Sequence, residues 1–331
     1  MARKRPAVLS RGVRPATLLA VPNVSEGRDG RLVDAIAEAF ARTAAAHLLD
    51  VHFDGDHHRS VYTLAGPQGS LADALLAGAR VAVESIDVMR ATGGGEPPGQ
   101  HPHVGALDVV PIVYLDEQSR GAACAEALLV ADRVGEELGV PVFLYGELAG
   151  GRTRADLRRE GVSGLLRRMA AEGGEEDGLV PDFGPPRLHP TAGATLVGAR
   201  APLVAFNLAL APDAGIERAR EIAAEIREGG PSGLPGVRAI AIALGGGVAQ
   251  VSVNVERPFE VPLATVVEAV RARAPLAGAE LVGLAPAAAL EGFPNDVELE
   301  RFDPARHVIE NALRSIHGPA EANAKNDQAS R

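Results

Sequence analysis

At 331 residues the chain is long enough to bury about two domain cores, and its 46% hydrophobic share is ordinary for a globular protein. A net charge of −10 argues against nucleic acid as the main partner, and no apolar run approaches the ~20 residues that span a bilayer. The single cysteine, Cys124, excludes an intrachain disulfide and a four-cysteine zinc site. The basic start at Arg3–Arg5 is followed by too short an apolar stretch for a signal peptide, so the cytoplasm is the expected location. Lysine occurs only at Lys4 and Lys325, so a bound carboxylate is met by arginine, histidine or backbone N–H groups.

Residues 1–16 and about 317–331 are polar and unpatterned and read as tails. Between them Thr17–Val21 reads as a strand, Arg31–Arg42 as an amphipathic helix, and His47–Val51 and Ser60–Ala65 as strands joined by a polar loop. Leu71–Ser85 reads as a helix, Ala106–Tyr114 as a strand, Arg120–Leu138 as a helix and Val140–Tyr145 as a strand. A Gly/Arg/Glu-rich stretch follows over 146–190, with a helix near Arg154–Arg159. The pattern then restarts. Gly193–Ala209 is strand-like, Ile216–Glu228 helical, Val237–Leu244 and Val248–Asn254 strands, Leu263–Arg273 helical and Ala279–Leu284 a strand. Both halves therefore read as βαββαβ, an α/β (α+β) architecture of two ferredoxin-like units, with additions in the first half. The expected division is 1–16, 17–182, 183–300 and a C-terminal helix and tail over 301–331, with the seam near Pro181–Pro190 and a ligand cleft between the units.

Chemistry-bearing side chains concentrate in two loops. DVHFDGDHHRSVYT holds His52, His57 and His58, and GGGEPPGQHPHVGALD holds His101 and His103. Both loops interrupt strands, where a rigid scaffold presents functional groups, and histidine titrates where proton shuttling at neutral pH needs it. Solvent-facing or turn-capping histidines are the plainer reading of such loops. Together with Asp54 and Asp56 these histidines also form a donor set that zinc or manganese accepts, although no H-E-x-x-H spacing occurs. Gly93–Gly95 and Gly245–Gly247 match no phosphate-binding motif and read as a loop and a hairpin turn. Cys124 falls within a helical pattern and reads as a small buried hydrophobe.

VPNVSEGRD (Val21–Asp29), LLDV (Leu48–Val51), RSVYTLAG (Arg59–Gly66), HPHVGALDVVPI (His101–Ile112) and GVPVFLYGE (Gly139–Glu147) resemble the N-terminal subdomain of the formiminotransferase family. PDFGPP, GATLVGAR, FNLAL, AQVSVN and ELVGLAP, in that order between Pro181 and Pro286, resemble its C-terminal subdomain. The resemblance covers about residues 19–290 without the cyclodeaminase domain fused to this unit in some animals. It implies a glutamate formimidoyltransferase, with tetrahydrofolate as co-substrate in the cleft, no metal, a homodimer, and a catalytic histidine at His101 in H-P-x-x-G-A-L-D. Asp54 or Asp56 is then the carboxylate that stabilises the cationic amidine. Arg59 is a substrate-carboxylate ligand or a structural ion pair. Asn23 and Glu26 line the folate cleft, or else Ser25, Glu26 and Asp29 cap the following helix. Gly105, Gly193 and Gly198 admit a ligand closely or serve as turn glycines, and Asn254 closes a second-half strand toward the cleft.

Three positions depart from the family pattern: His103 stands where an arginine is usual, Gln100 where a glutamate is, and His52 where a carboxylate is. His52 and His103 therefore join the substrate-binding candidates, and the exact donor is less constrained than the fold. A related enzyme of 5-formyltetrahydrofolate, a metal-dependent hydrolase and a non-catalytic folate-binding protein are the competing functions.

Overall fold

The computed structural model describes residues 15–90, 102–171 and 178–317. His101, Gln100, the Gly93–Gly95 run and the terminal segments 1–14 and 318–331 lie outside the described residues.

The first half begins with β1 (Thr17–Ala20) and β2 (Asn23–Val24), which share one lane of a sheet, then α1 (Gly30–Phe40). Asp29 starts this helix by accepting from the Arg31 and Leu32 N–H groups. Val33, Ile36 and Phe40 fall on one stripe and are fully buried. β3 (His47–Asp54) and β4 (Arg59–Pro67) form a hairpin, α2 (Leu71–Ser85) returns across the sheet, and β5 (Leu107–Tyr114) completes the unit. The order β3–β4–β1/β2–β5 with antiparallel neighbours is the ferredoxin-like arrangement expected from the sequence.

The additions extend the β5 edge. α3 (Arg120–Leu138), stopped by Gly139 at φ 65°, leads to β6 (Val142–Gly146) and the short helices α4 (Arg154–Arg158) and α5 (Gly161–Ala170). β7 (Thr195–Arg200) then inserts between β5 and β6, parallel to both.

That insertion corrects the expected seam. The strand read as one piece over Gly193–Ala209 is two strands in two different sheets: β7 belongs to the first, and β8 (Val204–Leu210) opens the second. The break falls at Ala201–Leu203, where Pro202 has no N–H for a ladder. The passage between sheets therefore lies just over ten residues beyond Pro190, and β7, within 183–200, pairs in the first sheet rather than the second.

The second half runs β8, α6 (Gly215–Ile226), β9 (Val237–Ala243), β10 (Ala249–Val255), α7 (Leu263–Arg271) and β11 (Leu276–Val282). Its sheet order β11–β8–β10–β9 repeats the ferredoxin-like arrangement, with β12 (Leu299–Glu300) added parallel at the β11 edge. Each half buries its own apolar cluster beneath its helices. A third, smaller cluster joins Leu19, Ala65 and Val113 of the first sheet to Leu284 and to Ile309 and Ala312 of α9 (Ile309–His317), which follows the short α8 (Pro304–His307). The C-terminal helix thus clips the two halves together.

Candidate active site

A cavity of about 1060 Å³ opens between the two sheets. Strand alternation decides what it sees. On β3, His52 and Asp54 point one way and Phe53, 44% exposed, points the other. β4 contributes Arg59, Val61 and Thr63 in register with them, His52 opposite Val61 and Asp54 opposite Arg59. From the facing sheet come Asn207 of β8 and Ser252 and Asn254 of β10. The floor is apolar, built from Leu19, Val21, Val113, Leu284 and Ile309.

The halves also touch through the β3–β4 hairpin tip. The Gly245 N–H donates to Asp56 Oδ2 at 2.9 Å, and His57 Nε2 lies 3.1 Å from Gln250 Oε1. His52 Nε2 stands 3.8 Å from Glu280 Oε1 on β11, and Asp50 Oδ1 stands 3.7 Å from His307 Nε2 of α8. Burial holds the His52 imidazole below the ordinary histidine value of 6.5 against the pull of Glu280 and Asp50. The Asp50 carboxyl is pushed up by burial, which outweighs His307 and His52.

Positive charge dominates one wall. Seven arginines line the cleft, Arg59, Arg154, Arg158, Arg159, Arg200, Arg227 and Arg238, against five carboxylates. Behind two of them sits Asp108, with no exposed surface. Its Oδ2 accepts from Arg59 Nη1 at 3.0 Å and from Arg158 Nη2, and its Oδ1 accepts from the Val104 N–H at 2.8 Å. Burial alone would raise this carboxyl, but Arg158 and Arg59 outweigh it and hold Asp108 far below the usual carboxylate range. Arg59, pushed down to about 10 by burial, stays charged at neutral pH. Its Nε donates to Asn23 Oδ1 at 2.9 Å, and Asn23 in turn donates to the Val21 carbonyl.

The sequence-predicted residues divide cleanly. The cleft brings together Asn23, His52, Asp54, Arg59 and Asn254. Asp56 is exposed and turned to the Gly245 N–H instead. Glu26 is not a lining residue either: its Oε1 accepts from the N–H groups of Gly27, Arg28 and Asp29 at 2.8, 2.7 and 3.0 Å, a cap on the turn into α1. The three glycines accommodate the protein rather than a ligand. A Cβ on Gly105 would meet the Ala194 carbonyl oxygen at 1.8 Å, one on Gly193 the Val104 oxygen at 2.4 Å, and one on Gly198 the Tyr145 ring at 2.9 Å. His103, the second residue of the described segment 102–171, helps lower the Asp108 pKa. Its neighbour Pro102 is in the cleft wall. Cys124 is half-buried in α3, where burial pushes its thiol up.

Sequence reasoning missed Asp108, Arg158, Arg200, Asn207 and Ser252. Four of them fall inside quoted stretches, Asp108 in HPHVGALD, Arg200 in GATLVGAR, Asn207 in FNLAL and Ser252 in AQVSVN, and only Arg158 carried no such signal. Among the described residues no group of three or more His, Cys, Asp or Glu side chains is placed to hold a metal ion. No helix there is long and apolar enough to cross a membrane.

Fold and cleft together define a two-lobed α/β protein whose interlobe cleft is lined by more arginines than carboxylates. The chain belongs to the formiminotransferase family: residues 17–200 match the formiminotransferase domain, N-terminal subdomain. It is 35% identical over 303 residues to a glutamate formimidoyltransferase of Streptococcus pyogenes, covering 88% of this chain and 97% of that protein. A glutamate formimidoyltransferase of Thermoplasma acidophilum is 36% identical, over 82% of this chain and 88% of its own length. The formimidoyltransferase-cyclodeaminase of Gallus gallus is 37% identical over 82% of this chain, which spans 50% of that longer protein.

Proposed function

We propose that this chain is a glutamate formimidoyltransferase, moving the formimidoyl group from N-formimidoyl-L-glutamate to N5 of tetrahydrofolate. The observation that carries the reading is near full-length likeness to the Streptococcus enzyme, combined with a cleft whose charge suits both reactants. Each reactant ends in carboxylates, which planar guanidinium groups grip through paired N–H donors. The apolar floor suits a flat heteroaromatic ring, and Asn207 and Asn254 on the facing sheet supply amides for its edge.

In the reaction N5 of tetrahydrofolate attacks the amidine carbon, a tetrahedral intermediate forms, and the bond from that carbon to the glutamate nitrogen breaks. N5 gives up a proton and the departing amine takes one. His101 is the proposed acid/base that moves it, on the family resemblance, and the chain reaches Pro102 in the cleft wall directly after it. Asp54 is the proposed counter-charge to the amidinium. Its carboxylate lies in the cleft and is oriented by the His57 N–H at 2.7 Å. Arg59 and Arg158 are the proposed carboxylate ligands. The reading includes a homodimer and a cytoplasmic location, checked by sedimentation and by fractionation, and transfer without a metal.

Purified protein given tetrahydrofolate and formimidoylglutamate should turn over, continue under chelation, and lose at least about 10²-fold in kcat on His101→Ala. Folate binding without turnover points to a related one-carbon reaction or a binding protein and overturns the proposal. Activity abolished by chelator and restored by zinc or manganese points to a metal-dependent hydrolase.

A further inference from the structure

Two guanidinium groups share one carboxylate behind the cleft wall. Arg59 reaches Asp108 from β4, Arg158 from α4, and the Val104 N–H from the segment entering β5. The two arginines come from far along the chain, 49 and 50 residues from Asp108, whereas Val104 is 4 residues before it. Asp108 itself is fully buried and absent from the cleft lining, whereas Arg59, Arg158 and Pro102 are in it. An arginine on a flexible stem recognises a carboxylate only when its planar fork is held at the right angle. Asp108 supplies that hold for both, and Asn23 adds a second point for Arg59.

The geometry points to Asp108 as the positioning residue of the site, a strut that acts on substrate only through Arg59, Arg158 and the Pro102–Gly105 segment. This rests on the formimidoyl transfer reading for its activity measurements, though not for its binding ones. The wall holds two cations to one buried anion, so the site keeps an excess positive charge for an incoming carboxylate. Replacing the anion by a neutral amide leaves the two guanidinium groups to repel each other and turn away from their present aim.

The test compares wild type, Asp108→Asn and Glu126→Gln. Glu126 is an equally buried carboxylate, remote from the cleft, whose oxygens accept from the N–H groups of Gly69, Leu71 and Ala72 at the start of α2. Both variants should melt at lower temperature. Asp108→Asn alone should weaken 5-formyltetrahydrofolate binding about tenfold by calorimetry and lower kcat/KM about 10²-fold, the cost of a misplaced substrate. Glu126→Gln should keep wild-type values of both. A folded Asp108→Asn enzyme with wild-type Kd and kcat/KM overturns the proposal. Where that variant is unfolded at assay temperature, Asp108→Glu decides: it keeps the charge but moves the carboxylate one methylene from its present place against Arg59 and Arg158. The same two losses at an unchanged melting temperature support the strut, and wild-type values sink it. Wild type that binds the folate without turnover refutes the transfer reading alone, because the Kd comparison still stands.

Discussion

Asp54 and Asp56 are two residues apart and chemically alike, yet the hairpin gives them different tasks. Asp54 faces the cleft with the His57 N–H on its carboxylate, while Asp56 sits on the exposed tip and receives the Gly245 N–H. Asp54→Asn should therefore lower kcat about 10²-fold through lost charge stabilisation. Asp56→Asn should leave kcat near wild type and cost about 1 kcal/mol of stability through one weakened hydrogen bond. Steady-state kinetics on both variants, with urea melts, separate the two roles; a larger kcat loss at Asp56 reverses the assignment. Sequence could not make this choice, since alternation along a strand does not say where the strand ends and the turn begins. Nor could it choose between the two readings it offered for the glycines at 105 and 193. A glycine that lets two loops cross looks the same in sequence as one that lets a ligand approach.

β3 carries Asp50, His52 and Asp54 on alternate residues, with His52 near Glu280, Asp50 near His307 and Asp54 in the cleft. His52 is held below 6.5 and faces Glu280, Asp50, Asp54 and Arg301. The unfolded chain therefore binds the histidine proton more readily than the folded one. Stability attributable to His52 is intact above pH 6.5 and lost as pH falls toward its folded value. Asp50, raised above 3.8, works in a lower window and in the opposite sense, favouring the folded state as it protonates. Melting temperature should thus decline between about pH 7 and about pH 5.5, and His52→Gln should flatten that decline. His189, lowered by burial, accounts for part of the remaining slope. Parallel curves for variant and wild type would remove His52 from the explanation. At this scale most was legible in the sequence: the helices Leu71–Ser85 and Arg120–Leu138 coincide with the apolar periodicity. β7 was not, because a parallel partner 87 residues from Val109, at Leu196, leaves no local trace, and an apolar run reads alike in either sheet.

The whole molecule sets a local field against a global one. A chain of net charge −10 repels anions at long range, yet the cleft between its halves holds seven arginines to five lining carboxylates. Their role was hidden in sequence: the helix near Arg154–Arg159 is legible there, but not which surface its arginines face. Only the packing of α4 over the first sheet, with Arg154 5.9 Å from the Tyr145 ring centroid, makes them a wall. Such a wall attracts an anionic substrate through a field that salt screens, the Debye length shrinking from about 10 Å at 0.1 M to about 3 Å at 1 M. The hydrogen-bonded core of the site, buried around Asp108, is screened far less. Raising salt over that range should therefore increase KM for tetrahydrofolate several-fold while kcat stays level, and Arg238→Gln, at the more exposed end of the wall, should reduce the salt slope without touching kcat. A KM indifferent to ionic strength in wild type would mean that the arginines act only by direct contact, and that the field of the cleft plays no part in capture.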